Sequence, residues 1–348
     1  MLRSPSKTMV KWLARFHLAK VSSPPREIHD WILQNEAATM LYLQQHTCIP
    51  TPKVFNWARK SDPRNKIRVD YILMEKLEGK PLIWQEATPQ QREKAMQQLA
   101  DIFLEIEKHH FKIMGSSLCP LHGRHYYRCS RSCKSVNIPG GKGKGSTWSI
   151  LFFTERLTGH LGLLPCNDIQ WRDWLRLFNR RLPHRFCQDN IGALFEDNTV
   201  SSGNNFFLKR PDDKRDHILV NDSFEIVGLI YWEWTQTVSK AEAFCSPCMM
   251  WPLREFYDGS NELTTYELRL AAIFWEKGRG DLANYAMDGG KVQRLFFSLG
   301  PERSFVDTQA FSNLFIGLQK AFNRYEDGLG SWTRLLRSGK MMNCSLTC

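Results

Sequence analysis

Residues 212–236 read DDKRDHILVNDSFEIVGLIYWEWTQ. Two short apolar runs, Ile218-Leu219-Val220 and Ile226-Val227-Gly228-Leu229-Ile230, flank the turn-forming Asn221-Asp222-Ser223. Strand-like runs joined by such residues predict a β-hairpin. Charged residues crowd its front, and an aromatic knot, Tyr231-Trp232-Glu233-Trp234, closes it. Aromatics that follow a buried strand carry large apolar area, so Trp232 and Trp234 are both expected in the core.

The chain around this hairpin has 348 residues, enough for two domains or one two-lobed one. Its 42% apolar and 24% charged residues place it among globular proteins rather than disordered ones. The net charge of +11 is unevenly spread: residues 1–26 and 108–154 carry Lys and Arg but no Asp or Glu. Basic stretches suit nucleic acid, anionic lipid or phosphorylated ligands. Aromatics and cations are not interleaved in a nucleic-acid module, so nucleic acid is not the expected partner. No apolar run reaches the length of a membrane span. Ten cysteines without an apolar signal core point to reduced thiols in a cytoplasmic compartment. Lys7, Lys11 and Arg15 recur every four residues, with Val10, Ala14 and Leu18 on a neighbouring stripe. This basic start reads as a surface helix, or as a mitochondrial presequence.

The first glycine is Gly79. A strand is expected over Phe16 to Val21, with Lys20 inside it, and a helix over 28–45. Another strand, Tyr71 to Met74, leads through a polar connector to Gly79. Thr88-Pro89-Gln90-Gln91 predicts a helix start with a capping box, and Thr264 with Glu267 predicts a second. Helical patterns recur near 168–181, 264–285 and 307–324. Phe311, Leu314, Phe315, Leu318 and Phe322 form one core stripe of the last.

Other groupings are read plainly. Cys119, His122, His125, Cys129 and Cys133 have zinc-ligand chemistry without the spacing of a standard finger, and a basic loop is the expectation. Cys245-Ser-Pro-Cys248 is expected to be two core thiols. PGGKGKGST at 139–147 departs from a phosphate-binding loop, because Ser146 follows its last glycine directly, and reads as a linker.

DHILVNDSFEIVGLIYWEW resembles the catalytic segment of the aminoglycoside phosphotransferase family in its fungal forms. HTCIPTPKVFNW, YILMEKLEGKPL and NEAATMLYLQQHT resemble that family's small lobe, hinge and small-lobe helix. The resemblance covers residues 20–110 and 200–325. It implies an α/β, protein kinase-like two-lobed fold: a truncated β-containing small lobe over 1–80, and a hinge with the first large-lobe helix over 81–114. A basic insert over 115–148, a mainly helical large lobe over 149–330 and a tail over 331–348 complete it. It also implies ATP and Mg²⁺ as cofactors and a small-molecule hydroxyl as acceptor. Such chemistry needs a carboxylate to orient the hydroxyl, an Asn and an Asp to hold Mg²⁺, and a Lys fixed by a helix Glu to grip phosphate.

Carried over by position, the base falls on Asp212, the phosphate-gripping lysine on Lys20 and its partner on Glu36. Glu75 and Leu77 of the hinge segment fall at cofactor-binding positions. The family's His two residues before the base is Arg210 here. The metal-binding Asn is His217 and the metal-binding Asp is Tyr231, with Glu233 a substitute carboxylate two residues on. The Gly-rich turn is absent. A second register would use Asp216 and Asn221, leaving Thr235 at the second metal position. Three expectations follow. The first is a phosphotransferase resembling ATP-dependent small-molecule kinases, its activity in question at the altered metal positions. The others are a non-catalytic pseudokinase-like binding protein and a protein that binds through its basic loop.

Overall fold

The computed structural model describes residues 11–18, 26–112, 186–187, 189–190, 205–210, 215–298 and 308–322. Strand β1 (Trp12–His17) is followed by helix α1 (Arg26–His46), then β2 (Val54–Ala58) and β3 (Asp70–Glu75). These strands form an antiparallel sheet of order β1-β3-β2. Asp70, Ile72 and Met74 are the buried face of β3. Their cross-strand partners are His17, Arg15 and Leu13. Opposite residues of a pair share a face, so Arg15 and His17 look the same way as Ile72 and Asp70. Trp12 and Phe16 look outward and are exposed.

Two expectations are corrected here. The described strand lies at 12–17 and stops before Leu18, so the expected start at Phe16 is wrong; residues 19–21 lie outside the described residues. The helical stripe through Lys11, Arg15 and Leu18 is likewise not formed, because pairing with β3 fixes this segment with a period of two rather than 3.6. Lys20, Lys7 and Val10 lie outside the described residues, as do 115–148 and 168–181 with their cysteines, histidines and glycines.

The chain leaves β3 through Gly79 into β4 (Lys80–Pro81), which pairs with β7 (Ile218–Val220) of the hairpin. Helix α2 (Pro89–Lys108) starts with the expected capping box between Thr88 and Gln91. It buries Ala95, Met96, Leu99, Ile102 and Phe103. Short strands β5 (His110–Phe111), β6 (Phe206–Lys209) and β9 (Gln236–Val238) form another sheet. Past it come α3 (Lys240–Ala243), α4 (Leu253–Tyr257), α5 (Thr265–Glu276), α6 (Gly280–Met287), α7 (Gly290–Ser298) and α8 (Thr308–Ala321). The Thr264–Glu267 box is present. The helical pattern over 264–285 is two helices, since Gly278 breaks it with φ +75°. Phe315, Leu318 and Phe322 are buried and Leu314 is half-buried. Cys245 is buried, whereas Cys248 is only partly so.

The hairpin forms as read, with β8 (Ile226–Leu229) antiparallel to β7. Asn221 closes its turn, its Oδ1 accepting from the amides of Ser223 and Glu225. Asn221 is thus engaged in the hairpin's own turn. A Cβ at Gly228 would lie 2.3 Å from Leu77 Cδ1, so the end of that leucine would have to move aside. The amide of Leu229 donates to Pro50 O at 2.7 Å, fastening the hairpin to the loop after α1.

Trp232 is 2% exposed, as expected, and its Nε1 donates to Leu229 O. Trp234 is 45% exposed, which corrects the expectation that both are core. Tyr231 takes φ +62° and the amide of Thr235 donates back to Trp232 O. The chain is therefore turning here, and the alternation of a strand no longer sorts its side chains.

Candidate functional site

The site forms where β1, α1 and the turn after β8 meet. Burial of nearly every residue from Ile32 to Met40 seats α1 firmly, and Glu36 is only 1% exposed within it. A buried carboxylate needs a partner. The guanidinium of Arg15 supplies it, Nη2 donating to Glu36 Oε2. The same Nη2 stands 2.9 Å from His17 Nε2 and 3.7 Å from Glu233 Oε2. Arg15 Cζ lies 5.5 Å from the centre of the Tyr231 ring, within cation–π reach. The Tyr231 ring in turn lies against His217, centroids 4.5 Å apart and planes tilted by 35°.

Neighbouring contacts hold this arrangement. Asn35 Nδ2 donates to the carbonyls of Glu233 and Thr235 at 3.0 and 3.2 Å, binding α1 to the turn. Arg210 Nη1 reaches Ile230 O at 3.1 Å and His217 O at 3.4 Å, with its Cζ 5.4 Å from the Trp232 ring centre. It therefore bridges the backbone of His217 and Ile230, beside the Tyr231 turn. Tyr231 itself is strained, because the left-handed region is unfavourable for a bulky residue.

Burial, with Arg15 adding, lowers His17 to about 4, so its imidazole is neutral and accepts from Arg15. Burial raises Glu36 to about 7, outweighing the attraction of Arg15, and the charge on Glu233 pushes the same way. The cluster thus holds more acid than one guanidinium balances.

The structure brings Glu36, His217, Tyr231 and Glu233 together. Asp212 and Lys20 lie outside the described residues; among the described residues the cation beside Glu36 is Arg15. Arg15 was not among the residues expected here. The available signal was the six residues Trp12-Leu-Ala-Arg-Phe-His, which put Arg15 and His17 on one face of the strand preceding α1. Glu75 stands at the Trp12 end of β3, away from the Arg15–Ile72 pair, and its amide donates to Lys53 O. Leu77 packs on Gly228. His217 and Tyr231 do not fit Mg²⁺. They present an imidazole and a phenol, ring against ring, where this ion takes oxygen ligands, chiefly carboxylates and carbonyls.

No helix among the described residues is long and apolar enough to cross a membrane. No family model matches the sequence, and no curated protein matches it either. Similar solved structures include ADP-bound aminoglycoside phosphotransferase APH(2'')-Ib, at TM-score 0.52 and 10% identity, over 90% of this chain and 95% of that one. A protein from Ralstonia eutropha JMP134 assigned to the aminoglycoside phosphotransferases matches at TM-score 0.50 and 12% identity, over 89% and 84%. At such identities the likeness is one of fold: the chain has the protein kinase-like fold of the aminoglycoside phosphotransferases.

Proposed function

We propose that the chain is a phosphotransferase-type protein of the aminoglycoside phosphotransferase group, derived from ATP-dependent small-molecule kinases, whose cleft now binds rather than transfers. The observation that carries this is the His217–Tyr231 ring contact at 4.5 Å, with the Arg15 guanidinium over the Tyr231 face. Metal-dependent phosphoryl transfer needs oxygen ligands that neutralise charge on the moving group. The two residues that the resemblance carries onto such ligand positions are an imidazole and a phenol lying ring against ring, with the Arg15 guanidinium beside them, which supports binding over transfer.

The test is calorimetric titration of Mg-ATP into the native protein, His217→Asn, Tyr231→Asp and the double variant. The native protein is expected to bind Mg-ATP weakly, with no gain from Mg²⁺ over ATP alone. The double variant is expected to gain Mg²⁺-dependent binding, and each single variant much less, since one ligand holds the ion poorly. Asp also tolerates the left-handed backbone at 231 better than Tyr. Tight Mg²⁺-dependent binding by the native protein would overturn the reading. Glu233 favours the alternative, an active kinase for a small-molecule hydroxyl, because its carboxylate already lies 3.7 Å from Arg15 beside the same turn. Turnover of ATP against a panel of hydroxyl acceptors would establish that alternative.

A further inference from the structure

We propose that His17, Glu36 and Glu233 form a site for a first-row divalent transition ion such as Mn²⁺ or Zn²⁺, and that this ion competes with the Arg15 guanidinium for the same three ligand atoms. The inference deepens the reading above but takes from it only the location of the cleft.

One imidazole nitrogen and two carboxylate oxygens from these residues lie within 4.8 Å of one another. They come from three separate elements: His17 from β1, Glu36 from α1 and Glu233 from the turn after β8. An ion with bonds of about 2.0–2.2 Å draws such atoms inward by roughly 1 Å. Glu233 is only part-buried and can supply most of that movement. Nitrogen mixed with carboxylate oxygen suits manganese and zinc better than magnesium. Glu36 is oriented from within the helix, and Asn35 fixes the backbone of Glu233, so two of the three ligands are pre-positioned.

Arg15 now touches Glu36 and His17 and lies near Glu233. Two carboxylic acids face one guanidinium, and a divalent ion in its place would balance both once Glu36 gives up its proton. The Arg15 side chain is part-exposed and already packs over Tyr231, so it has a solvent-facing route out of the cluster.

Mn²⁺ is the probe, because its weak affinity for thiols discounts the cysteines of this chain. Mn²⁺ is titrated into the full-length protein without nucleotide, the free ion being read by electron paramagnetic resonance. Arg15→Met is expected to bind one Mn²⁺ about tenfold more tightly than the native protein, or better, because a like charge at contact distance has gone. Arg15→Lys keeps a cation beside Glu36 for folding but spans fewer acceptors, and is expected to fall between the two. Adding His17→Ala and Glu233→Gln to either variant is expected to abolish the gain. Equal Mn²⁺ affinity in the native protein and in both Arg15 variants would overturn the proposal. So would a gain that survives loss of His17 and Glu233. Since nucleotide is absent throughout, a failed Mg-ATP experiment leaves this outcome unaffected.

Discussion

Trp232→Ala is expected to be among the most damaging single changes in the hairpin, while Trp234→Ala, two residues on, is expected to matter little. A buried Trp removes roughly 200 Å² from water. At about 25 cal/mol per Å² this is worth about 5 kcal/mol. The indole also donates from Nε1 to Leu229 O at 2.9 Å, so its loss leaves a buried carbonyl short of a partner, adding about 1 kcal/mol. Relaxation of the surroundings recovers part of this. It recovers little here, because the ring borders a cavity of about 30 Å³ lined by Leu99, Phe103, Ile218 and Leu229. Those residues come from α2 and from both hairpin strands, which are pinned elsewhere. The net expectation is a loss of about 4–5 kcal/mol for Trp232→Ala. Trp232→Phe, which keeps a ring but no donor, is expected to lose about 1–3 kcal/mol. Trp234 is 45% exposed and its replacement is expected to cost less than about 1 kcal/mol. Urea unfolding followed by far-ultraviolet circular dichroism measures all three. Equal losses at 232 and 234, or a Trp232→Ala protein within about 1 kcal/mol of the native one, would refute the assignment of the hairpin's core face.

Two further outcomes follow from buried charges. Glu36 has a folded pKa raised from 4.5 to about 7, so the stability it contributes is full below 4.5 and is lost as pH rises through 7. Between pH 5 and pH 8 in chelator the native protein is therefore expected to lose about 2–3 kcal/mol more than Glu36→Gln, with His17 neutral in the fold throughout. Parallel unfolding curves for the two proteins would contradict this. In the large lobe, Arg294 is buried with its guanidinium on Phe256 O, Ser260 O and Asn261 Oδ1, 3.6 Å above the Phe256 ring. A Cβ at Gly317 of α8 would lie 2.5 Å from its Cζ. Gly317→Ala is expected to cost about 2–3 kcal/mol by driving that group off its acceptors, and an unchanged melting temperature would show that the helix simply yields.

The hairpin was legible because its signal is local: two apolar runs, a polar turn and the side-chain period of a strand. The capping boxes at Thr88 and Thr264 were legible for the same reason, since each is closed within four residues. Trp234 was misread because a backbone reversal at Tyr231, invisible to periodicity, takes the residue out of the strand's alternation. Arg15 was missed because its role depends on pairing with β3, more than fifty residues away in sequence. Helical spacing gave a plausible wrong answer over the same residues, because a period near four also fits a short strand's charged positions. The approach of His17 to Glu233 brings together residues from a strand before the first helix and from the turn after the hairpin, and no window of sequence contains it.

The contacts of Asn35 with the carbonyls of Glu233 and Thr235 carry a kinetic consequence. They join the small-lobe helix directly to the strand-to-turn segment of the large lobe. In a two-lobed protein the clamshell ordinarily breathes at this seam. Here an interior amide on one side and two backbone oxygens on the other must part together, with Arg15 and its carboxylates, before the jaws separate. Hydrogen exchange at residues 232–235 should therefore proceed at the rate of the middle of α1, as a single cooperative opening rather than as local fraying. Cleft entry would then be gated by that rare event, and association with anything that binds inside would be slow however tightly it is finally held.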